Sequence, residues 1–114
     1  MLLTYEQRGQ GHVLVITVQY RVTVLDLPLS EGAAVTDGVV RAAQAIGKAF
    51  DPEGIAVWQN NGVPAHQSVP HVHFHVAGTM PDGGTIWGEV DKLDVAKTDA
   101  IARRLRPHLR KAFR

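Results

Sequence analysis

The chain has 114 residues, of which 45% are hydrophobic and 20% charged, with a formal net charge of +1; this suits one globular domain with a real core and argues against nucleic-acid binding over the whole surface. It has no cysteine, which removes disulfides, thiolate catalysis and cysteine-ligated zinc. No run of about 18 apolar residues predicts a transmembrane helix, and no basic segment followed by an apolar stretch opens the chain, so a cytoplasmic location without membrane partners is expected.

Val13-Leu14-Val15-Ile16-Thr17-Val18, a β-branched run after Gly9-Gln10-Gly11, predicts a buried strand. Pro28 disfavours helix at Leu27. From about Ser30 to Phe50 the residues Val35, Val39, Ala42 or Ala43, Ile46 and Phe50 recur three and four apart, which predicts a helix with one apolar stripe. Asp51-Pro52-Glu53-Gly54 stops it. Ile55 to Asn60 reads as a second strand, and a loop follows from Asn61 to Pro70. A strand beginning at His71 ends at Gly78, and Pro81-Asp82-Gly83-Gly84 is a turn. Thr85 to Gly88 is read as a short extra strand. Leu93 to Phe113 reads as a C-terminal helix, with Asp94 or Thr98 as N-cap. Its stripe is Ile101, Leu105, Leu109 and Phe113, and Pro107 should kink or split it. The arginines crowded there (Arg103, Arg104, Arg106, Arg110, Arg114) read as a solvated face. Together these elements predict a single α+β domain over residues 1–114, an antiparallel sheet of about five strands packed with helices on one side.

The chemistry concentrates in His71-Val72-His73-Phe74-His75-Val76. Side chains alternate across a strand, so residues 72, 74 and 76 face a core while three imidazoles share the opposite face. Histidine titrates closest to neutral pH and serves as base, acid, nucleophile or metal ligand, and the strand alone leaves these roles open.

The surrounding residues narrow the choice. His-x-His-x-His follows Gln67-Ser68-Val69, a strand end at Asn60-Asn61-Gly62, and an upstream Gly11-His12-Val13-Leu14-Val15-Ile16. Four such elements in this order, from about Gly11 to Val76, resemble the histidine triad family of nucleotide hydrolases and transferases. The resemblance implies that His73 is the nucleophile towards the α-phosphate of a nucleoside 5'-phosphoramidate or dinucleoside polyphosphate. His71 and His75 would donate to phosphate oxygens and fix the free nitrogen of His73. His12 would orient the first imidazole, His71. Asn60 would hold ribose and phosphate, and Gln67 and Ser68 would cradle phosphate and leaving group. It further implies a purine nucleotide substrate, no cofactor or metal, and a homodimer joined through the Val35–Phe50 helix and the Ile55–Asn60 strand.

Three departures from the family pattern stand beside these matches. The segment that usually precedes the first strand is expected to be missing, with Thr4 or Tyr5 in place of an acid that grips the ribose. Tyr20 replaces a histidine of a Pro-x-x-His motif. His66 replaces a loop glycine, where a positive φ would be easy; by itself it reads as loop surface. Trp58 and Trp87 read as packing residues. The alternatives to a nucleotidyl hydrolase are a nucleotide-binding module impaired in catalysis and a metal-binding β-module built on the histidine strand.

Overall fold

The computed structural model describes residues 1–109; the predicted helical positions 110–113, including Phe113, lie outside them. Among the described residues four strands form one antiparallel sheet: β1 (Leu2–Leu3), β2 (Gln10–Ile16), β3 (Ile55–Gln59) and β4 (His73–Gly78), in the spatial order β1-β2-β4-β3. Helices α1 (Leu29–Phe50) and α2 (Val95–Leu109) pack against each other and against β2. The α+β class is as read from the sequence, with four strands in place of about five. The missing strand is Thr85–Gly88, which makes no ladder. Its Ile86 N–H instead donates to the Arg8 carbonyl at 2.8 Å, and the Arg8 side chain takes the carbonyls of Ile86 and Gly88 at 3.1 and 2.6 Å. A side chain here occupies acceptors that a neighbouring strand would need.

The core follows the predicted stripes. Val35, Ala42, Ala45 and Ile46 of α1 bury themselves against Val13, Val15 and Val76 of the sheet and Leu105 of α2, with Val39, Phe50, Phe74, Ile101 and Leu109 packed around them. Asp94, rather than Thr98, caps α2 by accepting from the Lys97 N–H at 2.8 Å. The helix runs on through Pro107 to Leu109 without splitting. Arg104 lies over the Phe50 ring at 4.3 Å and donates to the Ala49 carbonyl at the end of α1, where a cation meets the negative end of the helix dipole.

Two strand boundaries shift for a common reason. β2 ends at Ile16, whose partner is His73, so β4 has no neighbour before His73 on that side. Val72 N–H donates instead to the Arg21 carbonyl at 2.7 Å. The chain after β2 runs outward, with Val18 99% exposed, and is tied back by the Arg21–Glu31 ion pair at the start of α1.

The register of β2 on β4 breaks between Gln10 and Val13, where Gly11 and His12 oppose Ala77 alone. Gly11 has φ +65, and a Cβ there would stand 2.8 Å from the Phe50 ring. This is a bulge that only glycine fits. Gln7 satisfies the loosened backbone, its carboxamide accepting from His12 N–H at 2.9 Å and donating to His12 O at 2.8 Å. His12 is thereby fixed on the sheet face opposite the core.

Candidate active site

On that face β4 presents His73 and His75, flanked in register by Ile16 and Leu14 of β2 and by Trp58 of β3, which lies directly opposite His75. His12 Nε2 and His75 Nδ1 are 3.0 Å apart, and the His73 and His75 rings meet edge to face at 5.0 Å. His12 thus supports the third imidazole, not the first as the family resemblance implies. The bulge explains this, because it sets His12 opposite Ala77, next to His75 on the same face and far along the strand from His71.

Each proton position follows from the fixed partners. The Arg8 backbone N–H donates to His12 Nδ1 at 3.1 Å, so that nitrogen is an acceptor and neutral His12 carries its proton on Nε2. Nε2–H then donates to His75 Nδ1, and His75 in turn keeps its proton on Nε2. His73 Nδ1 lies 2.8 Å from the His71 carbonyl, which only accepts; the proton sits on Nδ1 and the lone pair on Nε2. The free nitrogen of His73 is therefore selected by a backbone carbonyl and not by the flanking imidazoles. Burial lowers the pKa of His12 to about 4, against a smaller raising effect of the Glu6 backbone and with a still smaller lowering by the nearby Arg8 charge. Burial, followed by His12, His73 and Arg8, lowers that of His75 to about 3. Both are neutral at pH 7, so His75 offers a hydrogen-bond donor without a charge.

His71 stands apart from this cluster. Its Nε2 donates to the Thr17 carbonyl at 2.9 Å, and its ring meets Tyr20 edge-on at 5.8 Å. Tyr20 thus stands beside the first imidazole in the position where the family pattern has histidine.

The loop between β3 and β4 carries the remaining candidates. Asn60 is half-buried at the end of β3, and Ser68 is exposed; among the described residues neither side chain hydrogen-bonds to a histidine. Gln67 departs from the phosphate-cradling role that the resemblance implies. Its two amide hydrogens go to the carbonyls of Val22 and Val69 at 2.6 and 3.0 Å, its oxygen accepts from Gly62 N–H at 2.6 Å, and its own N–H bonds Gly62 O. No donor is left for a phosphate, so Gln67 is a brace that shapes the loop around Ser68. Gln67→Ala is expected to cost about 2–3 kcal/mol, because three backbone groups lose their partner, with urea unfolding as the measurement.

His66 takes up the left-handed backbone that a glycine would supply, at φ 67, ψ 28. That conformation costs a side-chain-bearing residue about 1–2 kcal/mol, partly offset by the greater freedom of glycine in the unfolded chain. His66→Gly is expected to raise stability by roughly 0.5–1 kcal/mol and to leave turnover intact; a lower thermal midpoint would contradict it.

Sequence reasoning missed Gln7, Arg8 and Trp58. The first two act through backbone contacts that depend on the bulge, so nothing in their identity announced them. Trp58 had a signal: it lies two residues before Asn60, on the same face of a period-2 strand. Its indole stacks on the His75 ring at 4.7 Å and 4° and lies 5.0 Å from the His12 ring, which is more than packing. For a metal the arrangement gives less: among the described residues no group of three or more histidine, aspartate or glutamate side chains is set to hold one ion.

An antiparallel sheet backed by two helices, with a histidine cluster on its open face and a His-x-His-x-His segment leading into its central strand, defines a histidine triad architecture. The sequence model of the HIT domain matches residues 1–82, and the chain belongs to the HIT family. It is 40% identical over 68 residues to an adenosine 5'-monophosphoramidase of Schizosaccharomyces pombe, covering 60% of this chain and 48% of that protein. It is 38% identical over 86 residues to a bis(5'-nucleosyl)-tetraphosphatase of the same organism, covering 72% of this chain and 47% of that protein. The chain therefore spans about half the length of these relatives. Among solved structures, a Hit-like protein from Bartonella henselae superposes with a TM-score of 0.82 at 28% identity, over 96% of this chain and 77% of that one. Among the described residues no helix is long and apolar enough to cross a membrane.

Proposed function

We propose that the protein is a nucleotide hydrolase that cleaves nucleoside 5'-phosphoramidates, or dinucleoside polyphosphates, at the α-phosphate through a covalent nucleotidyl-histidine. The observation that carries this reading is the pair of assigned tautomers: a lone pair on His73 Nε2 beside an N–H on neutral His75. A nucleophile needs a free electron pair, and the oxygens of the phosphorus centre need donors as charge gathers on them.

In the first step His73 Nε2 bonds to the α-phosphorus, and the leaving group departs with the electrons of its own bond and a proton from solvent near Ser68. The His71 carbonyl supports the positive charge that His73 acquires, through the Nδ1–H bond. In the second step water attacks phosphorus and gives a proton back to solvent, the electron pair of the P–N bond returns to Nε2, and the nucleoside monophosphate is released. His75 Nε2–H serves both steps as a neutral donor. Asn60 and Ser68 complete the site from the loop, and His71 steadies its rim. A nucleotide as substrate agrees with the names of the two yeast relatives, and adenosine in one of them favours a purine. A homodimer, as in the family pattern, is part of the same proposal.

Acid quenching during turnover of adenosine 5'-monophosphoramidate, followed by intact-mass spectrometry, is the test. One nucleotidyl group per chain, mapped to His73, is the expected result. An active enzyme that never carries the group overturns the covalent step.

A further inference from the structure

The largest side chain on the open face of the sheet is not in the core. Trp58 is absent from the cluster around α1, among the described residues, and lies instead against two imidazoles. Its ring is parallel to His75 within 4°, with centroids 4.7 Å apart, while His12 closes the triangle at 5.0 Å from Trp58 and 5.2 Å from His75. Trp87 backs Trp58 at 6.0 Å, and the backbone on either side of Trp87 is held by the Arg8 guanidinium.

We propose that Trp58 is a positioning residue for the nucleotidyl transfer, an indole clamp that holds the His75 imidazole in one rotamer and one tautomer with its Nε2–H turned towards the reacting phosphate. The reason is geometric. The His12 bond restrains His75 at Nδ1 alone, and a ring held by one hydrogen bond can still swing about it. A parallel indole removes that swing from one face, and the His73 ring, edge to face with His75 at 5.0 Å, limits it further. Burial of the imidazole, to which we assign the indole a share, disfavours its charged form and outweighs the attraction of the indole face for a cation. The groups facing His75 are His12 on β2, His73 on β4 and Arg8 before β2; among the described residues no carboxylate there offsets the loss of water. Direct cross-strand pairing of Trp58 with His75 makes the clamp a property of the sheet register.

This inference rests on the nucleotidyl-transfer reading, and its test separates the two. Long-range imidazole nitrogen–proton NMR reads the tautomer and titration of His75 with no substrate present, and turnover of adenosine 5'-monophosphoramidate is read beside it. In the wild type, His75 is expected as the Nε2–H form, neutral at pH 5. In Trp58→Leu its titration midpoint should rise by about one pH unit or more towards 6.5, the Nδ1–H form should appear, and kcat should fall about tenfold with KM little changed. Trp58→Phe, which keeps a flat ring, should restore most of both. A Leu variant whose His75 spectrum, titration and kcat match the wild type overturns the clamp, as does a Phe variant no better than Leu. A changed His75 spectrum in a protein that turns over no nucleotide in any variant keeps the clamp as a structural device but overturns its role in catalysis, together with the nucleotidyl-transfer reading.

Discussion

His73→Ala is expected to lower kcat for adenosine 5'-monophosphoramidate by about four to six orders of magnitude, the range seen when a nucleophile that acts as part of a unit is deleted. The fold should be unharmed. The His73 ring is only half-buried, and its hydrogen bond goes to the carbonyl of His71 on the same strand, so alanine strands no partner in the core. Circular dichroism and a thermal midpoint within a few degrees of wild type would establish that. The neighbouring substitution separates nucleophile from donor. His75→Ala removes an N–H but leaves the lone pair on His73, and the loss should be about 100- to 1,000-fold, that of one oxyanion donor. Should the two substitutions cost the same, or should His73→Ala retain turnover above a hundredth of wild type, His73 is not the attacking group.

Much of this site is legible in the residues alone, and the reason is that alternation is a strong rule. The His-x-His-x-His spacing places His73 and His75 on one face and Val76 in the core, because a strand period of two leaves no other choice once one face is apolar. The α1 stripe is legible for the same kind of reason at a period of 3.6. Contacts set by register and by departures from regularity are not. The bulge at Gly11 decides that His12 meets His75 and not His71, and a glycine in a sequence does not say which way a strand will bend. Strand pairing decides that Trp58 covers His75, and the pairing partner of β3 is a property of the whole sheet. Gln67 is ambiguous in sequence because a carboxamide serves equally well as phosphate ligand or as loop brace. Only the positions of the Val22 and Val69 carbonyls distinguish the two.

The same cluster sets how the protein responds to acid. His12 is 1% exposed and folded it accepts a proton only near pH 4, whereas an unfolded histidine does so near 6.5. Between these values unfolding takes up a proton, so stability falls as the pH drops through this window and levels off below it. His75 acts in the same direction with its folded pKa near 3, discounted because it is only half-buried. From pH 7 to pH 5, a range above the ordinary titration of carboxylates, His12 alone should remove about 2 kcal/mol, since each tenfold difference in proton affinity between the folded and unfolded chain is worth about 1.4 kcal/mol. For a domain of this size that is a drop of roughly 8–16 °C in the thermal midpoint. His12→Gln isolates the cause. Its amide donates to His75 Nδ1 as His12 Nε2–H does, but it cannot titrate, and it loses the bond from the Arg8 N–H at a cost of about 1 kcal/mol at pH 7. The variant should therefore start less stable and lose only the smaller part that belongs to His75. Urea unfolding of both proteins at pH 7 and pH 5 is the measurement. Equal losses would mean that His12 is not what holds the folded state to its neutral form, and a wild type equally stable at both pH values would mean that neither imidazole is kept neutral by its burial.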